Sequence, residues 1–168
     1  FRYEVDRALQ RAQDVLYRAG KEFGEQFGRD YSAPVEGYRL EDADMALVAM
    51  GSVCGTIKDA IDEMRMDGKK VGLLKIRSFR PFPKKAVAES LRDVSSVAVL
   101  DKNISLGTGS GAVVYEVRDA LYGSDIAVRD FVAALGGRDI RKKDIANIFG
   151  HLERGEGDMF YGLRQEVL

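Results

Sequence analysis

The sequence predicts an α/β fold built on a mostly parallel sheet, and three observations predict it. From Met45 onward, short apolar runs alternate with stretches of helical period. The runs themselves contain few polar residues, as strands covered on both faces do. Glycines follow several of them, most clearly at Met50-Gly51-Ser52, where a strand must hand the chain to a helix within a residue or two.

Composition bounds the answer first. A chain of 168 residues, 45% hydrophobic and 32% charged, suits one globular core with a short appendage. Lys and Arg number 26 against 27 Asp and Glu, a net charge of -1, so no global field draws the chain to nucleic acid or to an anionic membrane. No apolar run approaches the ~20 residues that span a bilayer, and no charged-then-apolar leader is present. The expectation is a cytoplasmic protein with neither nucleic acid nor membrane as partner. Phe1, in place of methionine, predicts a piece of a longer polypeptide. A single cysteine, Cys54, excludes an internal disulfide and any four-cysteine cluster made from these residues. The only histidine, His151, lies far away in sequence, so Cys54 reads as a small core residue rather than a nucleophile.

Residues 1–28 carry Val5, Leu9, Ala12, Leu16, Ala19, Phe23 and Phe27 at spacings of three and four, which predicts an amphipathic helix. Gly24 and Gly28 weaken its end, and Ser32-Ala33-Pro34 breaks it into an extended segment, Val35–Tyr38. A strand follows at Met45–Met50, then a helix at Val53–Met66, a stop at Gly68 and a strand at Val71–Ile76. Pro83 is well placed at the first turn of a helix running to about Asp93. Val97–Leu100 reads as a short strand buried on both faces, closed by Asp101. The glycines at 107, 109 and 111 lead into a helix over Ala112–Tyr122, and Ile126–Phe131 is a further strand. Gly136-Gly137-Arg138-Asp139 turns into a last helix at Lys142–Phe149, and a short helix is predicted at Tyr161–Val167. The division expected is therefore 1–34 for helix and linker, 35–150 for the α/β domain and 151–168 for a charged tail.

Four segments could carry chemistry. Gly51-Ser52-x-x-Gly55-Thr56 could cradle an anion at a helix start, though Ser52 as an ordinary N-cap and Gly55 as a close-packing point account for it too. It lacks the lysine and the spacing of a P-loop. Leu106-Gly107-Thr108-Gly109-Ser110-Gly111 offers the glycines of a dinucleotide turn, with Asp130 as the only acidic candidate about twenty residues on. Permissive backbone geometry explains the same glycines. Arg77, Arg80, Lys84 and Lys85 cluster beyond a strand's carboxyl end, either as a docking surface for an acidic partner or phosphorylated ligand, or as a solvated face paired to nearby carboxylates. In Gly136-Gly137-Arg138-Asp139, the Arg and Asp could pair with each other or cap the last helix. The sequence contains no Gly-Asp-Gly segment followed by Asn-Asn for thiamine diphosphate and magnesium, and no second histidine for a metal.

Read together, Met50-Gly51-Ser52-x-x-Gly55-Thr56, Val71-Gly72-Leu73-Leu74-Lys75-Ile76-Arg77-x-Phe79-Arg80-Pro81-Phe82-Pro83, Val97-Ala98-Val99-Leu100-Asp101-Lys102-Asn103-Ile104-Ser105-x-Gly107 and Leu135-Gly136-Gly137-Arg138-Asp139-Ile140 resemble, in order, the carboxyl-terminal part of the alpha subunit of pyruvate:ferredoxin oxidoreductases. Phe27-Gly28-Arg29-Asp30-Tyr31 is similar to the segment joining that subunit's first domain to its second. The resemblance implies a three-layer domain like the carboxyl-terminal domain of transketolases: helices on both faces of a five-stranded mixed sheet with one antiparallel strand, for which Val35–Tyr38 is the candidate. It implies a non-catalytic module of a CoA-dependent 2-oxoacid:ferredoxin oxidoreductase. Thiamine diphosphate, magnesium, iron–sulfur clusters and coenzyme A then belong to the whole complex, and none is expected within this segment. Its implied partners are the beta, gamma and delta subunits or domains, with ferredoxin reached through the complex. Gly51, Ser52, Gly55, Thr56, Arg77 and Arg80 are the candidate contacts to an anion, to coenzyme A or to a neighbouring domain. A stand-alone module for a small ligand or dinucleotide is the alternative.

Overall fold

Residues 1–163 are described in a computed structural model of the chain. The first helix, α1 (Arg2–Phe27), ends where Gly28 takes a left-handed φ of 71° and donates its N–H to Gly24 O at 2.8 Å. The chain then doubles back so tightly that a Cβ on Gly20 would lie 2.5 Å from Ser32 Cα. Phe23 and Phe27 stack at 4.6 Å, and Tyr31 approaches Phe23 at 5.7 Å, which closes this corner. The rest of the apolar stripe stays in the open: none of the residues in α1 is buried.

Past the linker come β1 (Val35–Tyr38), β2 (Met45–Met50), α2 (Val53–Met66), β3 (Val71–Ile76), α3 (Lys84–Leu91), β4 (Ser96–Asp101), α4 (Ala112–Ala120), β5 (Ala127–Val132), α5 (Lys142–Glu153) and β6 (Met159–Phe160). The sheet order is β1-β3-β2-β4-β5-β6. Strand β1 runs antiparallel to β3, as the sequence predicts for Val35–Tyr38, and the remaining pairings are parallel. The five predicted strands are all present. A two-residue strand, β6, extends the sheet beyond β5 through Phe131↔Met159 and Val132↔Phe160, and no feature of the sequence predicted it. Tyr161 and Gly162 form a turn; the rest of the helix predicted at Tyr161–Val167 lies at 164–167, outside the described residues.

Alternation along the strands divides the core in two. Leu47, Ala49, Leu73, Ala98, Leu100 and Phe131 point to the face covered by α2 and α5. Ala46, Val48, Leu74, Ile76, Val97 and Val99 point to the face covered by α3 and α4. Both sets are fully buried, which is why β2, β3 and β4 read as unbroken apolar runs. Two glycines are fixed by close approach. A Cβ on Gly72 would meet Arg39 O at 2.6 Å, and one on Gly111 would meet Asp101 Cβ at 2.5 Å.

Gly55, on the outer face of α2, has nothing within 4 Å of an added Cβ. Alanine there should stabilise the helix by about 0.5–1 kcal/mol, whereas Gly72→Ala should lower stability by forcing β3 away from Arg39. Thermal unfolding followed by circular dichroism should place Gly55→Ala above the wild type and Gly72→Ala below it.

Candidate functional site

The crossover from β2 through α2 leads to β3 on one side, while β4 lies on the other side of β2, so the carboxyl ends of β2 and β4 flank a topological switch point. In open α/β sheets this is the crevice where ligands enter. On the β2 side stands Gly51, with φ of 75°, a conformation that lets the strand turn into α2 at once. Ser52 is already helical at φ −70°, ψ −26°, and its hydroxyl makes no capping bond, so the N-cap role expected for it is not realised. Gly55, expected as a close-packing point, instead faces open space. Gly51, Ser52 and Gly55 are exposed and Thr56 is half-buried, which leaves a side-chain-poor stretch of backbone at the switch point.

The basic loop after β3 is arranged differently from what its sequence suggests. Arg77 donates to Glu36 Oε2 at 2.8 Å and to Ala33 O at 3.2 Å, and its guanidinium lies 5.1 Å from the Tyr31 ring. Glu36 also accepts from Lys58 and lies 3.9 Å from Lys75. The Lys58 ammonium, helped by Arg77, holds the Glu36 carboxyl below its ordinary range against the opposing effect of burial. Arg80 donates to Glu116 Oε1 at 2.7 Å and to Phe79 O at 2.8 Å, while stacking 4.1 Å above the Phe79 ring. Lys84 pairs with Asp119, and Lys85 lies 3.8 Å from Glu89. Each cation of the cluster therefore has a carboxylate partner, as a paired face requires. Arg77 and Arg80 are not brought together: the first joins Lys58 on the α2 side of the sheet, the second joins Glu116 on the α4 side.

The glycine-rich loop presents the other wall of the crevice. At the start of α4, Asp130 Oδ2 accepts the Gly111 N–H at 3.0 Å and Asp101 Oδ2 accepts the Val113 N–H at 3.0 Å. The two carboxylates, Asp101 closing β4 and Asp130 two residues before the end of β5, accept amide groups at the helix start of the kind a bound phosphate would use. Asp130 is thus not a ribose-binding acid but a lock on the helix. The sequence marks Asp130 as an acidic candidate and Asp101 only as the end of a strand; their convergence depends on β4 and β5 being neighbours. Asp130 is 1% exposed, its Oδ1 has no partner among the described residues, and burial pushes its carboxyl above the ordinary aspartate range.

The remaining candidates are held within the fold. Cys54 is buried and burial raises its thiol pKa, which disfavours the thiolate a nucleophile needs. His151 Nδ1 lies 2.6 Å from Glu156 Oε2, and Arg154 Nη2 lies 3.1 Å from the same nitrogen. The Arg154 guanidinium, followed by His151, draws the Glu156 carboxyl down to about 2. Arg138 and Asp139 neither pair with each other nor cap α5, among the described contacts; that helix start is closed by Asp144 Oδ2 accepting the Arg141 N–H at 2.8 Å. No group of three or more His, Cys, Asp or Glu side chains able to hold a metal occurs among the described residues, and none of the described helices is long and apolar enough to cross a membrane.

Residues 43–145 match the protein family described as pyruvate:ferredoxin oxidoreductase core domain II. The chain belongs to this family. It is 47% identical over 167 residues to the pyruvate synthase subunit PorA of Methanocaldococcus jannaschii, covering 98% of this chain and 42% of that protein. It is 44% identical over 150 residues to the ketoisovalerate oxidoreductase subunit VorA of Pyrococcus horikoshii, covering 88% of this chain and 38% of that protein. This core domain II chain therefore spans about two-fifths of the length of such relatives. Among solved structures, the 2-oxoglutarate:ferredoxin oxidoreductase of Magnetococcus marinus, with 2-oxoglutarate, coenzyme A and succinyl-CoA bound, superimposes with a TM-score of 0.58 at 19% identity, over 73% of this chain and 20% of that one. A split-gene transketolase superimposes with a TM-score of 0.52 at 17% identity, over 70% of this chain and 41% of that one. These likenesses establish the core domain II fold as transketolase-like.

The Asp130 lock has a pH signature. Because its folded-state pKa is raised, the folded chain binds this proton more tightly than the unfolded chain. Its contribution to stability is present at low pH and is lost as pH rises through the folded pKa. In Asp130→Asn, the amide oxygen can still accept from Gly111 but nothing titrates. The wild type should therefore gain stability relative to Asp130→Asn as pH falls from neutral toward about 4, measured by urea midpoints across that range. Parallel profiles would contradict the assignment.

Proposed function

We propose that this core domain II is the assembly and positioning module of the alpha subunit of a 2-oxoacid:ferredoxin oxidoreductase, an enzyme of CoA-dependent oxidative decarboxylation that passes electrons to ferredoxin. The observation that carries the reading is the contrast at the carboxyl edge of the sheet. Groups able to react are committed inside the domain: Asp101 and Asp130 to α4, the thiol of Cys54 to the core, His151 to Glu156. What faces outward at the switch point is backbone and small residues, at Gly51, Ser52 and Gly55. Such a surface lets a neighbouring domain or an anionic ligand approach closely while contributing no reactive side chain.

The family's cofactors divide accordingly. The residues present do not fit an iron–sulfur cluster, which needs several thiolates where this chain has one buried cysteine. They do not fit the magnesium of thiamine diphosphate either, for want of a convergent acid set among the described residues. Coenzyme A is a different matter, because its phosphates ask only for amide groups and positive charge. The Gly51–Thr56 turn, with Lys58, Lys75 and Arg77 around the single carboxylate of Glu36 on the same side of the sheet, is compatible with lying beside it. Arg80 serves as a brace to α4 through Glu116. Pyruvate is the substrate favoured for the whole enzyme, given the similarity to pyruvate synthase subunits, and the beta, gamma and delta subunits are the expected partners.

The test places a large charged side chain on the open patch without disturbing the fold. Gly55→Arg meets no atom within 4 Å at its Cβ, so the isolated chain should melt no lower than the wild type. In the full-length subunit assembled with its partners, the same change should weaken assembly or raise the KM for coenzyme A by roughly ten-fold or more, a loss typical of a contact residue. Assembly and coenzyme A kinetics both equal to the wild type would remove this patch from the proposal.

A further inference from the structure

Beside the Gly51 turn, the carboxyl edge carries a second exposed feature. The loop Lys102–Gly111 leaves β4 and the loop Ala134–Ile140 leaves β5, side by side, since Asp101 registers with Val132 and Ala133 donates its N–H to Asp101 O at 2.9 Å. At the tip of the first loop Leu106 is 87% exposed. That exposure comes with an unusual amount of fastening. Ser105 and Ser110 form a bridge, with the Ser105 N–H donating to Ser110 O at 2.9 Å. The Thr108 hydroxyl donates to Ser105 O at 2.6 Å, and Thr108 Oγ1 accepts the Ser110 N–H at 3.3 Å. At its base the loop is tied by the Asp101 and Asp130 carboxylates, which accept from Asn103, Val113 and Gly111. A leucine kept in water on a stapled loop has already lost the conformational entropy that binding would otherwise cost.

The charges around it are mostly of one sign. Every cation in the Arg77–Lys85 loop has a carboxylate partner, yet Lys102 and Arg138, exposed on these two loops, have no ion pair among the described residues. The Lys102–Gly111 loop contains no acidic residue, and Asp139 is the one carboxylate in the other. We propose that the paired loops Lys102–Gly111 and Ala134–Ile140 are a protein-docking surface on which Leu106 inserts into an apolar socket of a partner subunit, rimmed by carboxylates that meet Lys102 and Arg138. Pre-organisation supplies the knob, and the unneutralised cations set the charge of the socket. This inference rests on the reading of the domain as an assembly module but concerns a different surface, and the two can fail separately.

The experiment uses the full-length subunit co-expressed with its partner subunits, with a photoreactive benzophenone side chain in place of Leu106. Irradiation of the purified complex should join position 106 to a different subunit, at a segment combining apolar and acidic residues, as mapped by mass spectrometry. No adduct, an adduct only with a second copy of this subunit, or a basic target segment would overturn the proposal. The same probe at Ser52 reports on the Gly51 patch: an adduct there and none at 106 sinks this inference alone, whereas silence at both removes the assembly reading as well. As a quantitative check, Leu106→Asp with Arg138→Glu should weaken subunit association roughly ten-fold or more while leaving the melting temperature of the chain unchanged; unchanged association contradicts the assignment.

Discussion

Burial of the central strands on both faces is the constraint from which the rest follows. Leu47, Val48, Leu73, Leu74, Ala98 and Val99 are completely shielded, so β2, β3 and β4 have no solvent face on which to carry polar groups. Each fully buried Val or Leu side chain is worth about 1.5–3 kcal/mol of hydrophobic transfer, and the sheet concentrates these residues in its middle. With both faces covered by helices, functional groups can reach solvent only where the strands end. In a parallel arrangement all the connections into the helices leave from the same edge, and here that edge carries Gly51, Asp101 and the loops beyond β3, β4 and β5.

At that edge polar chemistry is resolved internally to a high degree. A buried N–H or carboxylate without a partner is costly, and the fold answers by setting Asp101 and Asp130 against the amide groups that open α4. The same clamp takes up amide groups that open α4 and fixes the base of the Leu106 loop. Along the basic loop, Glu36, Glu116, Asp119 and Glu89 neutralise what the sequence presents as a concentrated positive charge. The outward character of the domain is then set by geometry, by bare backbone at Gly51 and Gly55 and by a stapled leucine, more than by reactive side chains.

How much of this can be read from the chain alone differs sharply by feature. The buried strands are legible because two-sided burial leaves an uninterrupted apolar run, and β1 is legible because Ser32-Ala33-Pro34 breaks the first helix into an extended segment. Strand β6 is not, since two residues carry no periodicity and Met159–Phe160 becomes a strand only by meeting Phe131 and Val132. Ser52 follows the N-cap pattern, yet the left-handed turn at Gly51 brings it into helical geometry one residue early and leaves its hydroxyl uninvolved. The fate of Arg77 and Arg80 was hidden for a different reason. Their partners Glu36 and Glu116 lie 41 and 36 positions away, and only the strand order decides that one faces α2 and the other α4. Asp130 stood at a spacing that suggests ribose recognition, and the sheet turned the same residue inward.

Hydrogen exchange of the full-length subunit, alone and with the partner subunits proposed for it, tests the central claim most directly. If the carboxyl edge is what the domain offers to its neighbours, the backbone amides of 51–56, 102–111 and 134–140 should exchange more slowly on assembly, while the turns at the opposite edge, 67–70, 92–95 and 122–126, should not change. Protection confined to the opposite edge, with the carboxyl-edge loops exchanging as fast in the complex as in the free subunit, would contradict the account.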